Sequence, residues 1–153
     1  MIEKLMEKWH QNLNGELPGG IDELLADDVK FYSPIVFTPV KGKELAKLYL
    51  GAVGNTFSGG ETMESLGADD SKFKYTKEVV SGYHAVLEFE VEVEGKYVNG
   101  VDIITCNDEA KIIELRVMLR PLQGINIMHE QMKKRLDKLQ KAGQGVDDRW
   151  DCP

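Results

Sequence analysis

Cysteine is scarce in this 153-residue chain: there are two, Cys106 and Cys152, and no CxxC pair. That excludes a disulfide-stapled scaffold, and both are expected as free thiols in a reducing cytoplasm. Long apolar runs are missing too, and nothing reaches the roughly 18 consecutive residues that would cross a bilayer. The segment from Met1 to Lys8 alternates charge with apolar residues, so it does not read as a secretory signal. Of three histidines, His10, His84 and His129, none stands at zinc-site spacing from a second ligand, so no metal is expected. Positive charge is in deficit, with a formal net charge of −7, which argues against nucleic acid or an anionic membrane as partner. Repeats and low-complexity bias are also absent from the stretch Gly54 to Ser71.

The composition is that of an ordinary globular protein, 42% hydrophobic and 29% charged, and the length suits one domain. We expect a domain over residues 1–142 and a frayed tail over 143–153. Ile2, Leu5, Met6, Trp9 and Leu13 recur at helical spacing until Asn14-Gly15. Ile21, Leu24 and Leu25 fit a short second helix ending near Ala26-Asp27-Asp28. Val29 to Ser33 read as a strand, and a third, strongly apolar helix follows Gly42 with Leu45, Ala46, Leu48, Tyr49, Leu50 and Val53. Gly54 to Ser71 read as a long loop.

Four strand signals follow. The first runs from Phe73 to Val80. In the second, Leu87, Phe89, Val91 and Val93 alternate with four glutamates, so one face is buried and the other wet. Tyr97 to Cys106 and Lys111 to Arg120 complete the set. In the last, Ile113, Leu115, Val117 and Leu119 share the apolar face, while Arg116 and Arg120 could meet the glutamates across neighbouring strands. After Pro121, Ile125, Met128, Met132, Leu136 and Leu139 mark a closing helix. Helices followed by an antiparallel meander give an α+β architecture, a curved sheet wrapped around three N-terminal helices with one more at the C-terminus. Such a cone leaves an apolar mouth where a small ligand can sit.

Two segments resemble the nuclear transport factor 2-like superfamily, and within it the SnoaL-like and ketosteroid isomerase-like proteins. One runs from Leu25 through Asp27-Asp28, Ser33-Pro34 and Pro39-Val40-Lys41-Gly42. The other runs from Gly100-Val101-Asp102 through Asn107-Asp108-Glu109 to Arg120-Pro121-Leu122. The resemblance implies a cone-shaped fold, a homodimer, and chemistry without cofactor or metal. Steroid isomerases of this fold pair a carboxylate base with a tyrosine and a protonated Asp that hold the oxyanion. By resemblance the base position here is Ser33, the tyrosine position is Trp9, and the protonated Asp is retained as Asp102.

Asp102 is the candidate catalytic residue on its own chemistry as well. Its same-face neighbours are Gly100 and Ile104, with Val98 and Cys106 beyond, so a carboxyl projects from an apolar strip. Burial there raises its pKa and suits it to donate a hydrogen bond to an enolate-like oxygen or to shuttle a proton. The bland reading is an Asp satisfied by a neighbouring hydroxyl, indole or backbone group. Trp9 can offer an indole N–H, and Ser33, lacking a partner base, reads as a turn hydroxyl. Phe31, Tyr49, Leu87, Val91, Leu115, Val117 and Leu119 are expected to line the pocket with them, and each also reads as plain core. Two functions follow. One is binding of a small apolar, carbonyl-bearing molecule with proton transfer beside the carbonyl. The other is a non-catalytic binding or dimerisation module whose cone is filled by Trp9, Tyr49 or Phe31.

Overall fold

The structure, a computed structural model, describes residues 1–57 and 73–141. Helix α1 (Ile2–Leu13) buries Ile2, Leu5, Met6 and Trp9, the stripe its spacing dictates. A single 3-10 turn (Gly20–Glu23) stands where a second helix is expected. Gly19 and Gly20 both take positive φ, which breaks any longer helical run. Strand β1 (Leu25–Tyr32) therefore begins earlier than Val29. A short β2 (Val40–Lys41) leads to α2 (Lys43–Phe57), which carries Gly54 and Asn55 within its last turns rather than in a loop. The rest of the expected Gly54–Ser71 loop and the expected tail lie outside the described residues.

Strands β3 (Lys74–Ser81), β4 (His84–Val93), β5 (Lys96–Cys106) and β6 (Ile112–Arg120) form the meander, and α3 (Leu122–Lys141) closes the chain. Glu94 and Gly95, both at positive φ, make the tight β4–β5 turn, the conformation that suits the twist of paired strands. The sheet order is β2-β1-β6-β5-β4-β3. All pairings are antiparallel except β1 with β6, which run parallel, so the sheet is mixed. The α+β expectation holds, with one 3-10 turn replacing the second helix.

The inner face collects Leu87, Phe89 and Val91 of β4, Val98 and Ile104 of β5, and Leu115 of β6. Helix α1 packs on β3 and β5, α2 on β1 and β4, and α3 on β5 and β6. A register shift between Thr105 and Cys106 puts Ile112, rather than Ile113, in the core. The glutamates of β4 and the arginines of β6 are not neighbours, because β5 lies between them. Arg116 instead sits 4.0 Å over the Tyr32 ring, and Arg120 reaches Asn99. No helix among the described residues is long and apolar enough to cross a membrane.

Candidate functional site

A cavity of about 210 Å³ opens between the inner face of the sheet and the three helices. Its floor is buried: Phe31 of β1, Asp102 of β5, Leu115 of β6, Met128 and Met132 of α3, and Trp9 of α1. Half-buried Asn12, Ile21, Lys47 and Leu50 stand toward solvent, so they form its rim. Period-two alternation along β5 puts Asp102 on the same face as Val98, Ile104 and Cys106, all buried. Val117 and Leu119 also line the wall.

The polar end of the cavity is a chain of three side chains. The Trp9 indole donates to the Tyr75 hydroxyl (Nε1 to Oη, 3.1 Å), and that hydroxyl donates to Asp102 (Oη to Oδ2, 2.8 Å). Among the described residues Oδ1 has no hydrogen-bond partner. Burial pushes the Asp102 carboxyl up from 3.8 to about 7, against the opposing pull of the Tyr75 hydrogen bond. Tyr75 moves well above its ordinary range, first by burial and then by the adjacent Asp102 carboxylate, so at neutral pH it remains a donor. Tyr75 as a whole is half-buried, with its hydroxyl end turned inward. Its ring is held edge-on by Phe73 at 5.1 Å and by Phe89 at 6.2 Å.

Of the residues singled out from sequence, Trp9, Phe31, Asp102, Leu115, Val117 and Leu119 meet at this cavity, while Ser33, Tyr49, Leu87 and Val91 do not line it. Ser33 Oγ accepts from the backbone N–H groups of Ile35 and Val36 at 3.1 and 3.4 Å, so it caps a turn. Tyr49 is fully buried in the core. Leu87 and Val91 lie beneath the helices that pack on β4. Trp9 points neither at Asp102 nor at open space but at Tyr75. Tyr75 itself is absent from the sequence reading. Its signal was its place two residues after Phe73, on the inward side of a strand whose register shifts just beyond it. His10 engages Glu78 at 2.9 Å, off the cavity wall, and His84 is exposed against Thr105. Trp9 and Phe31 stand at the wall and leave the void open.

No family model and no curated protein matches the chain. Solved structures do. A steroid delta-isomerase from Pseudomonas aeruginosa superposes with a TM-score of 0.78 at 26% identity, covering 92% of this chain and 94% of that one. A nuclear transport factor 2-like protein of unknown function from Mesorhizobium loti gives 0.60 at 14% identity, over 78% and 91% of the two chains. The epoxide hydrolase/cyclase-like enzyme SalBIII, of pyran ring formation in the polyether salinomycin, gives 0.55 at 14% identity, over 78% and 90%. The fold is that of the nuclear transport factor 2-like superfamily, as the Asp27-Asp28 and Gly100–Leu122 segments imply. Structures that share it include isomerase and cyclase-like enzymes as well as proteins of unknown function.

Proposed function

We propose that this chain binds a small, largely apolar molecule carrying a carbonyl, and moves a proton next to that carbonyl through Asp102. The observation that carries the reading is a buried carboxyl of pKa about 7 with one oxygen unpartnered among the described residues, set in the wall of an apolar cavity. A group titrating near neutral pH is matched to both taking and returning a proton. In the ionised form, Oδ1 takes a proton from the carbon beside the carbonyl, and the electron pair moves onto the carbonyl oxygen. The carboxylic acid so formed then donates a hydrogen bond to that oxygen, or returns the proton to another carbon. Tyr75 keeps Oδ2 occupied and leaves Oδ1 as the reactive atom. Ser33 has no part in this, because its oxygen already serves two backbone amides. The likeness to a steroid delta-isomerase supports the reaction class. The cavity, about 210 Å³, favours a guest more compact than the drug-sized ligands that fill roughly 300–1,000 Å³.

The test uses a compact cyclic β,γ-unsaturated ketone, with conjugation followed by ultraviolet absorbance. Asp102→Asn keeps the side-chain shape and is expected to lower turnover by about 10²–10⁴-fold while quenching of Trp9 by the ketone persists. Equal turnover in wild type and variant would end the catalytic reading. Quenching without turnover in wild type would leave a binding protein.

A second reading concerns assembly. The outer face of the sheet exposes Val79, Val86 and Met118, with half-buried Val101 and Ile103 between them. Strand pairing makes these one patch, since Val79 faces Val86, Val86 faces Ile103, and Val101 faces Met118. Such a patch suits a second copy of the chain and a homodimer. A sedimentation mass of one chain at micromolar concentration would refute it.

A further inference from the structure

The walls of the cavity are apolar apart from the Trp9–Tyr75–Asp102 chain, with two exceptions, and both are at the rim. Lys47, on the second turn of α2, lines the opening, and Asn12, near the end of α1, lines it from another helix. The Asn12 amide has no hydrogen-bond partner among the described residues. The Lys47 ammonium is one-third exposed and is held from outside the cavity by Asp22, at 2.9 Å. Asp22 is shared: Lys43 also reaches it, at 3.4 Å. Two ammonium groups thus converge on one carboxylate, exposed Glu44 lies 3.8 Å from Lys47, and an amide without a partner among the described residues lines the same opening. The rim therefore presents N–H donors and ammonium charge, whereas the floor presents a carboxyl.

We propose that the ligand carries two poles, a carbonyl for the floor and a carboxylate for the rim, which makes the substrate class an aliphatic oxo-acid. This rests on the reading of the cavity as a ligand site and adds the charge of its ligand. The carboxylate accepts from Lys47 Nζ and from the Asn12 amide, and the chain between the poles lies along Leu50, Val117 and Leu119. An ammonium exchanging one carboxylate for another loses little on binding, because Asp22 keeps Lys43 as its partner. The arrangement also fixes the direction of the guest: a negative end is repelled by an ionised Asp102 and attracted by Lys47.

The experiment follows quenching of Trp9 fluorescence in the full chain by levulinate and its longer homologues, each against its methyl ester. The acid of best length is expected to bind about tenfold more tightly than its ester, the worth of one charge-assisted hydrogen bond at a partly exposed site, and less so at high salt. Lys47→Met removes that preference, so that acid and ester of the same length bind within about twofold of each other. Asp22→Asn strengthens acid binding several-fold by releasing Lys47, the reverse of what a purely structural ion pair would give. Esters that bind as well as acids, or an Asp22→Asn variant that weakens acid binding, would overturn the oxo-acid assignment and leave the cavity a ligand site. Failure of both acids and esters to quench Trp9 would overturn the ligand site itself.

Discussion

Asn99 and Asp102 lie three residues apart on β5, on opposite faces, and are the two buried polar side chains among the described residues. Their exposures are nearly equal, 7% and 9%. Their surroundings are not. The Asn99 amide donates to the Phe89 carbonyl at 2.8 Å and to Glu88 at 3.2 Å, and its oxygen accepts from Arg120 at 3.3 Å. It is satisfied by the protein and ties β4, β5 and β6 together. Among the described residues Asp102 has one hydrogen bond, from Tyr75, and it lines the cavity. A buried polar group is normally satisfied, so the half-satisfied one is the residue to which we assign the proposed function. Burial alone would have ranked the two residues equally.

The contrast can be broken most forcefully at Asp102. In the unfolded chain its carboxyl titrates near 3.8, and in the fold near 7. Between those values the folded state holds one more proton, so stability falls as pH rises through that window and is level above it. Asp102→Asn should flatten the dependence and raise stability above pH 7 by up to about 4 kcal/mol, measured by urea unfolding across pH. Asn99→Leu is expected to do the opposite, losing about 1–3 kcal/mol with little pH dependence, because the Phe89 carbonyl and the two flanking charges lose their partner. Gly100 shares the inner face with Asp102. A β-carbon there would lie 2.6 Å from the Met118 carbonyl oxygen and 2.7 Å from the Phe89 ring. Gly100→Ala should therefore cost about 1–3 kcal/mol through overpacking between β4 and β6, again read by urea unfolding. The smallest change sharpens the comparison rather than breaking it. Tyr75→Phe removes the hydrogen bond that lowers the Asp102 pKa, so the carboxyl should titrate above 7 by carboxyl carbon NMR, and Trp9→Phe should follow weakly in the same direction.

Much of this contrast is written in the alternation of β4 and β5. Leu87, Phe89 and Val91 against their glutamates fix which face is wet, and the same parity aims Asp102 inward. What resists reading is anything that depends on pairing between distant segments. Tyr75 meets Asp102 across 27 residues of chain, beside a register shift that local periodicity does not disclose. The parallel pairing of β1 with β6 is equally invisible in either strand alone. Ser33 keeps the turn role its sequence suggests, its hydroxyl answering to the amides that follow Pro34, and that local demand holds it off the cavity wall where the resemblance would put it. Leu87 and Val91 show the limit of parity, which separates inside from outside but not cavity wall from packed core.

Tyr75 rides on β3, the last strand of the sheet order, which among the described residues has a hydrogen-bonded neighbour on one side only. The acidity of the site is thus tethered to the margin of the sheet, where breathing is easiest. Each time that margin lifts, the carboxyl loses its donor and meets water together, and the group reverts toward an ordinary aspartate. Amide exchange along β3 should consequently report how long the protein holds its proton ready.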